Sequence, residues 1–154
     1  MTSRGSAAAT QAAHDLVERD LGSCFELCFP GSQASPSVVG SAAWPIAPDR
    51  WLLVDAAPAE VAAAVAAGGL AIDVTGKWRC YSLRGAQATA ALRSGVNLDV
   101  VLAGRAVAVV SLFDCPVAIA RSASRDGFEV CVHASYAASL RHALELALRR
   151  ARSA

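Results

Sequence analysis

Residues Val107–Ala154 constrain the fold more than any other stretch of this chain. Two apolar runs, Ala106–Leu112 and Val117–Ala120, flank Phe113-Asp114-Cys115-Pro116, and Pro116 suits a strand start or a sheet edge. Arg125-Asp126-Gly127 carries hairpin-turn chemistry, and Phe128–His133 is the returning strand. The period then changes from two to 3.6. Ala137, Leu140, Leu144, Ala147 and Leu148 fall on one helical face, with Arg141, Glu145 and Arg149 opposite. Ser135 is placed to cap that helix. Strands joined by tight turns and then a helix with one apolar face describe an antiparallel sheet covered on one side.

The upstream sequence carries strand, turn and helix signals of its own, with no obvious internal repeat. Phe25-Glu26-Leu27-Cys28-Phe29 alternates as a strand, and Pro30–Pro36 is a loop. Pro48-Asp49 is a turn, followed by the apolar strand Trp51–Val54. Pro58 suits a first helical position and Glu60 a first turn, while Gly68-Gly69 ends the helix, which predicts Pro58–Ala67. Leu70–Val74 and Trp78–Leu83 read as strands around a turn at Thr75-Gly76-Lys77. Gly85 opens a helix over Ala86–Ser94, Gly95 closes it, and Val96–Val101 has turn or helical character. The expected class is α+β: antiparallel sheets with flanking helices. Residues 1–22 read as a tail with a short helix over Gln11–Leu21, and 23–154 as one domain of two small halves.

Composition adds limits. The chain has 154 residues, 55% hydrophobic, with a net charge of +1. Near-neutral charge argues against general attraction to nucleic acid or an anionic membrane. No apolar run approaches the roughly 20 residues of a spanning helix, and no signal peptide is expected at Met1–Gln11. Charged residues are only 18%. Two readings stay open: a bland Ala-rich surface, or a surface partly covered by a partner. The five cysteines, at 24, 28, 80, 115 and 131, include no C-x-x-C. They read as free thiols in a reducing compartment, which places the protein in the cytoplasm.

Residues with chemistry are few. His133 is conceivable as a general base, yet no nucleophile motif surrounds it, so a strand-face histidine touching solvent or a partner is the simpler reading. His14 and His142 read as solvated. Asp73 and Asp99 sit in apolar context. They read as turn or helix caps before they read as an acid–base pair. No G-x-G-x-x-G, G-K-[ST] or G-x-S-x-G occurs, so no catalytic residue and no metal ligand is assigned. Trp51 reads as core. Trp44, Trp78 and Tyr136 are interface candidates, because aromatic residues anchor protein contacts. Arg149, Arg150 and Arg152 suit a helix C-terminus.

Several short motifs occur in a recognisable order. They are Pro48-Asp49-Arg50-Trp51-Leu52-Leu53, Ile72-Asp73-Val74-Thr75, Leu83-Arg84-Gly85-Ala86, Gly95 with Leu98-Asp99-Val100, Phe128–Val132 and Ser135-Tyr136-Ala137. Together they resemble the gamma subunit of heterotetrameric sarcosine oxidase, a relative of the folate-binding T-protein, most clearly over 42–148. Arg84, Ala86 and Ala134 depart from that pattern. Lys77-Trp78-Arg79-Cys80-Tyr81-Ser82 only echoes a folate-binding relative involved in iron–sulfur assembly.

The resemblance implies a non-catalytic subunit of a flavoenzyme. That enzyme demethylates a secondary amine and passes the one-carbon unit to tetrahydrofolate. It further implies large alpha and beta subunits and a small delta subunit as partners, with FAD, FMN, NAD, tetrahydrofolate and zinc held by them. The alternatives are an oxidase for another secondary amine, or a stand-alone folate- or small-ligand-binding protein with Asp73 or Tyr136 lining its pocket.

Overall fold

A computed structural model of the protein describes residues 16–31, 43–123 and 126–154. In chain order the strands are β1 (Leu16–Arg19), β2 (Phe25–Cys28), β3 (Ala43–Ala47), β4 (Arg50–Leu53), β5 (Leu70–Asp73), β6 (Trp78–Arg84), β7 (Val107–Leu112), β8 (Cys115–Arg121) and β9 (Gly127–His133). The helices are α1 (Pro58–Ala66), α2 (Ala86–Arg93), α3 (Leu98–Val101) and α4 (Ala137–Ser153), with a 3₁₀ turn at Ala134–Tyr136 before α4. The expected α+β class is the one observed. The described residues form two units: Asp20–Trp78, and Leu16–Arg19 together with Arg79–Ala154.

The discontinuous unit holds a five-stranded sheet in the order β1-β6-β9-β8-β7. One face carries Tyr81, Leu83, Val117, Ile119, Val130 and Val132. Leu92 of α2 and Leu140, Leu144 and Leu148 of α4 close over it. Each fully buried leucine of this set is worth about 1.5–3 kcal/mol relative to exposure. The predicted face of α4 is therefore the buried one. The β7–β8 hairpin turns on two residues, since Leu112 pairs with Cys115. Phe113 and Asp114 have φ of 49° and 62°, the positive values that a tight primed turn demands of both central residues. The Phe113 ring packs against the core, which offsets the strain of a left-handed aromatic residue.

The Asp20–Trp78 unit has a four-stranded antiparallel sheet, β3-β4-β2-β5. Leu27, Phe29, Trp51 and Leu53 line one face under Ala64 and Val61 of α1. Phe29 and Trp51 meet edge to face, with ring centroids 5.6 Å apart. The α1 start has no capping side chain at Ala57, so the Glu60 carboxylate accepts from the Ala57 N–H at 3.0 Å. Its end is a Schellman turn. Gly69 N–H donates to the Ala64 carbonyl and Gly68 N–H to that of Val65, with Gly68 at φ 89°.

Three expectations need correction. The helix over Gln11–Leu21 lies partly outside the described residues, and Leu16–Arg19 of its described part is strand β1, paired with β6 from Leu16↔Leu83 to Arg19↔Cys80. Tertiary pairing overrides the weak local helical preference of a four-residue piece. Ala43–Ala47, not read as a strand, pairs with β4 at the sheet edge, where Pro45 is tolerated. Ser135 is not the cap of the last helix, since it lies inside the 3₁₀ turn and His133 caps that turn instead. The tail at 1–9, His14, most of the Pro30–Pro36 loop and Arg125 lie outside the described residues.

Candidate functional site

The β9–α4 junction gathers His133, Ser135 and Tyr136. His133 is exposed at the last position of β9. Its Nδ1 lies 3.0 Å from Ser135 Oγ and 3.5 Å from the Ser135 backbone nitrogen. Nδ1 accepts from that N–H only in the tautomer that carries the ring proton on Nε2. The two-residue spacing and the shared backbone contact are those of a local cap. The geometry starts a helix. Tyr136 follows with 43% of its surface exposed.

The two aspartates do not meet. Asp73 ends β5, and its carboxylate accepts from the Thr75 N–H at 2.9 Å. That backbone bond, helped by the Thr75 hydroxyl, holds the carboxyl below its ordinary range. Thr75 also reaches across its unit, where its hydroxyl accepts from the Cys24 N–H at 3.1 Å. Asp99 lies at the start of α3 and pairs with Arg93 at 2.9 Å, both exposed. Each carboxylate is used in local structure.

The tryptophans take three roles. Trp51 is core. Trp44 is 8% exposed, which leaves little of the ring for a partner. Trp78 is half-buried, and its Nε1–H donates to Glu26 at 3.2 Å. None of the five cysteines forms a disulfide, and only Cys28 is not fully buried. Cys131 hydrogen-bonds with Cys80, and that bond together with burial pushes the Cys131 thiol far up. Burial, then Asp114, also raises Cys115. Thiols held protonated in this way are poor nucleophiles and poor metal ligands. Among the described residues, no group of three or more His, Cys, Asp or Glu side chains stands close enough to hold a metal ion. The side chains of the described residues therefore do not fit a zinc.

The charges that sequence reading missed lie around β1. Arg19 pairs with Glu129 of β9 at 2.8 Å, and Glu18 with Arg79 at 3.4 Å and Arg141 at 4.0 Å. Arg141 also pairs with Glu145 at 3.1 Å, one helical turn on. Tyr81 lies beside these groups and donates its hydroxyl to the Ala137 carbonyl at 3.1 Å. Arg19 and Glu129 are 110 positions apart, and nothing local in the sequence marks such a pair.

With this geometry established, comparison with known proteins places the fold. No protein-family profile matches the chain, and no curated protein matches it in sequence. Among solved structures it aligns with a chain of the heterotetrameric sarcosine oxidase from Corynebacterium sp. U-96, solved in complex with pyrrole 2-carboxylate. The TM-score is 0.74 at 21% identity, over 96% of this chain and 93% of that one. The protein has the fold of a sarcosine oxidase chain. A second alignment, to the protein Atu0741 from Agrobacterium tumefaciens, has a TM-score of 0.33 at 16% identity, over 82% of this chain and 83% of that one. It carries no weight for the fold. Among the described residues, no helix is long and apolar enough to cross a membrane.

Proposed function

We propose that this chain is the gamma-type, non-catalytic subunit of a sarcosine-oxidase-like complex. The complex oxidatively demethylates a secondary amine and passes the one-carbon unit to tetrahydrofolate. What carries the reading is the end-to-end fold shared with a chain of a heterotetrameric oxidase, covering 96% of one and 93% of the other. The ordered motifs from Pro48-Asp49 to Ser135-Tyr136-Ala137 add to it. So does the state of the polar side chains. His133, Asp73, Asp99 and the four buried thiols are each used in caps, ion pairs or buried contacts, so chemistry falls to partner subunits. FAD, FMN, NAD, tetrahydrofolate and zinc belong to those partners in this reading, and this chain contributes packing surface.

A subunit that buries apolar surface in a complex exposes that surface when alone. Val65, Leu70, Ile72, Val100 and Val109 each show half or more of their surface. The isolated chain should therefore self-associate at micromolar concentration when examined by sedimentation velocity. A monodisperse, stable monomer would contradict the proposal. A folate titration of that monomer would then decide whether the chain is a stand-alone binding protein.

A further inference from the structure

Strand β1 is held differently from every other strand of its sheet. It has four residues, none of them fully buried, and Val17 is 50% exposed. Only Leu16 packs against the apolar core. Both of its charged side chains, by contrast, reach other elements. Arg19 bonds to Glu129 of β9 across the intervening β6, and Glu18 pairs with Arg79 of β6 and Arg141 of α4. The strand lies at the sheet edge, and its loss would leave the β6-β9-β8-β7 order intact. It is also where the chain leaves this unit, since the next residue, Asp20, belongs to the other one.

We propose that β1 is a charge-latched strap, which detaches from β6 as a unit when its ion pairs are screened or removed, while the rest of the sheet stays folded. Strands β8 and β9 are retained by buried Val117, Ile119, Val130 and Val132, and salt does not weaken apolar burial. The two Glu18 pairs are exposed, so each is weak and falls with ionic strength, while the part-buried Arg19–Glu129 pair falls less steeply. Where they are the principal side-chain contacts of an edge strand, they set its local opening equilibrium. Detachment uncovers the outer edge of β6 and frees the chain segment that leads into the other unit.

Hydrogen exchange of the full chain tests this. Potassium chloride is raised from about 0.01 M to about 1 M, which shortens the screening length from roughly 30 Å to roughly 3 Å. Amides of β1, and those of β6 that donate toward it, should exchange about tenfold faster at high salt, with β8 and β9 unchanged. Arg19→Ala should show the fast exchange already at low salt, with a flattened salt response. Arg19→Lys should restore most of both. Salt-independent β1 exchange, or equal acceleration in all strands, would overturn the proposal. Because the wild-type salt series stands by itself, a poorly folding Arg19→Ala would not remove the test.

Discussion

Gly127 is the position where the smallest change should do the most damage. It opens β9, and its carbonyl accepts from the Ser122 N–H at 2.9 Å. A Cβ built there would lie well inside contact distance of the Leu83 carbonyl oxygen on β6, and 3.1 Å from both the Leu83 carbonyl carbon and the Arg84 Cα. All three atoms are backbone, so no side chain can rotate away. The two strands must part, and neighbouring ladder bonds must lengthen. Overpacking of this kind costs about 1–3 kcal/mol, and a weakened hydrogen bond adds about 1 kcal/mol.

We therefore expect Gly127→Ala to lose about 3 kcal/mol. At this chain length that is a fall in Tm of about 6–12 °C. Gly104→Ala is the control. Gly104 has open space where a Cβ would go, but a φ of +65°, so it loses only the left-handed penalty of about 1–2 kcal/mol. Thermal melts by circular dichroism in one buffer compare the two. If Gly127→Ala lost no more than Gly104→Ala, the close β6–β9 approach would be refuted.

Two further outcomes follow from the same unit. Leu144 is fully buried between sheet and helices, so Leu144→Ala should cost about 2–5 kcal/mol in chemical denaturation. Tyr81→Phe removes the bond to the Ala137 carbonyl and should cost about 1 kcal/mol. Burial, then Glu18, also raises the Tyr81 phenol above its ordinary 10.0. The folded state then keeps a proton that the unfolded chain releases, so wild-type stability should fall as pH rises past 10 and Tyr81→Phe should flatten that fall. A mutant with the same alkaline slope would count against the assignment.

How much was legible in the sequence depends on how local the signal is. The α4 face could be read from Leu140, Leu144, Ala147 and Leu148, because helical period is a property of one segment. The α1 boundaries followed from Pro58 and Gly68-Gly69 for the same reason. The strap was not legible. Leu16–Arg19 is extended because it pairs with Cys80–Leu83, more than 60 positions away, and its own four residues do not say so. Ala43–Ala47 was missed likewise, since Pro45 argues against a strand until the strand is known to be an edge. At the site, His133 and Ser135 were both visible, but the cap was read at Ser135 and lies at His133. Ser135 has the usual capping side chain, yet the 3₁₀ turn begins one residue earlier and the imidazole takes the cap.

Under the proposed function this chain works inside a larger oxidase. Native mass spectrometry of the tagged chain drawn from its own cells, with an absorbance spectrum of the same eluate, tests that most directly. We expect a yellow complex of several different subunits with flavin absorption bands. A colourless chain, alone or associated only with itself, would contradict it.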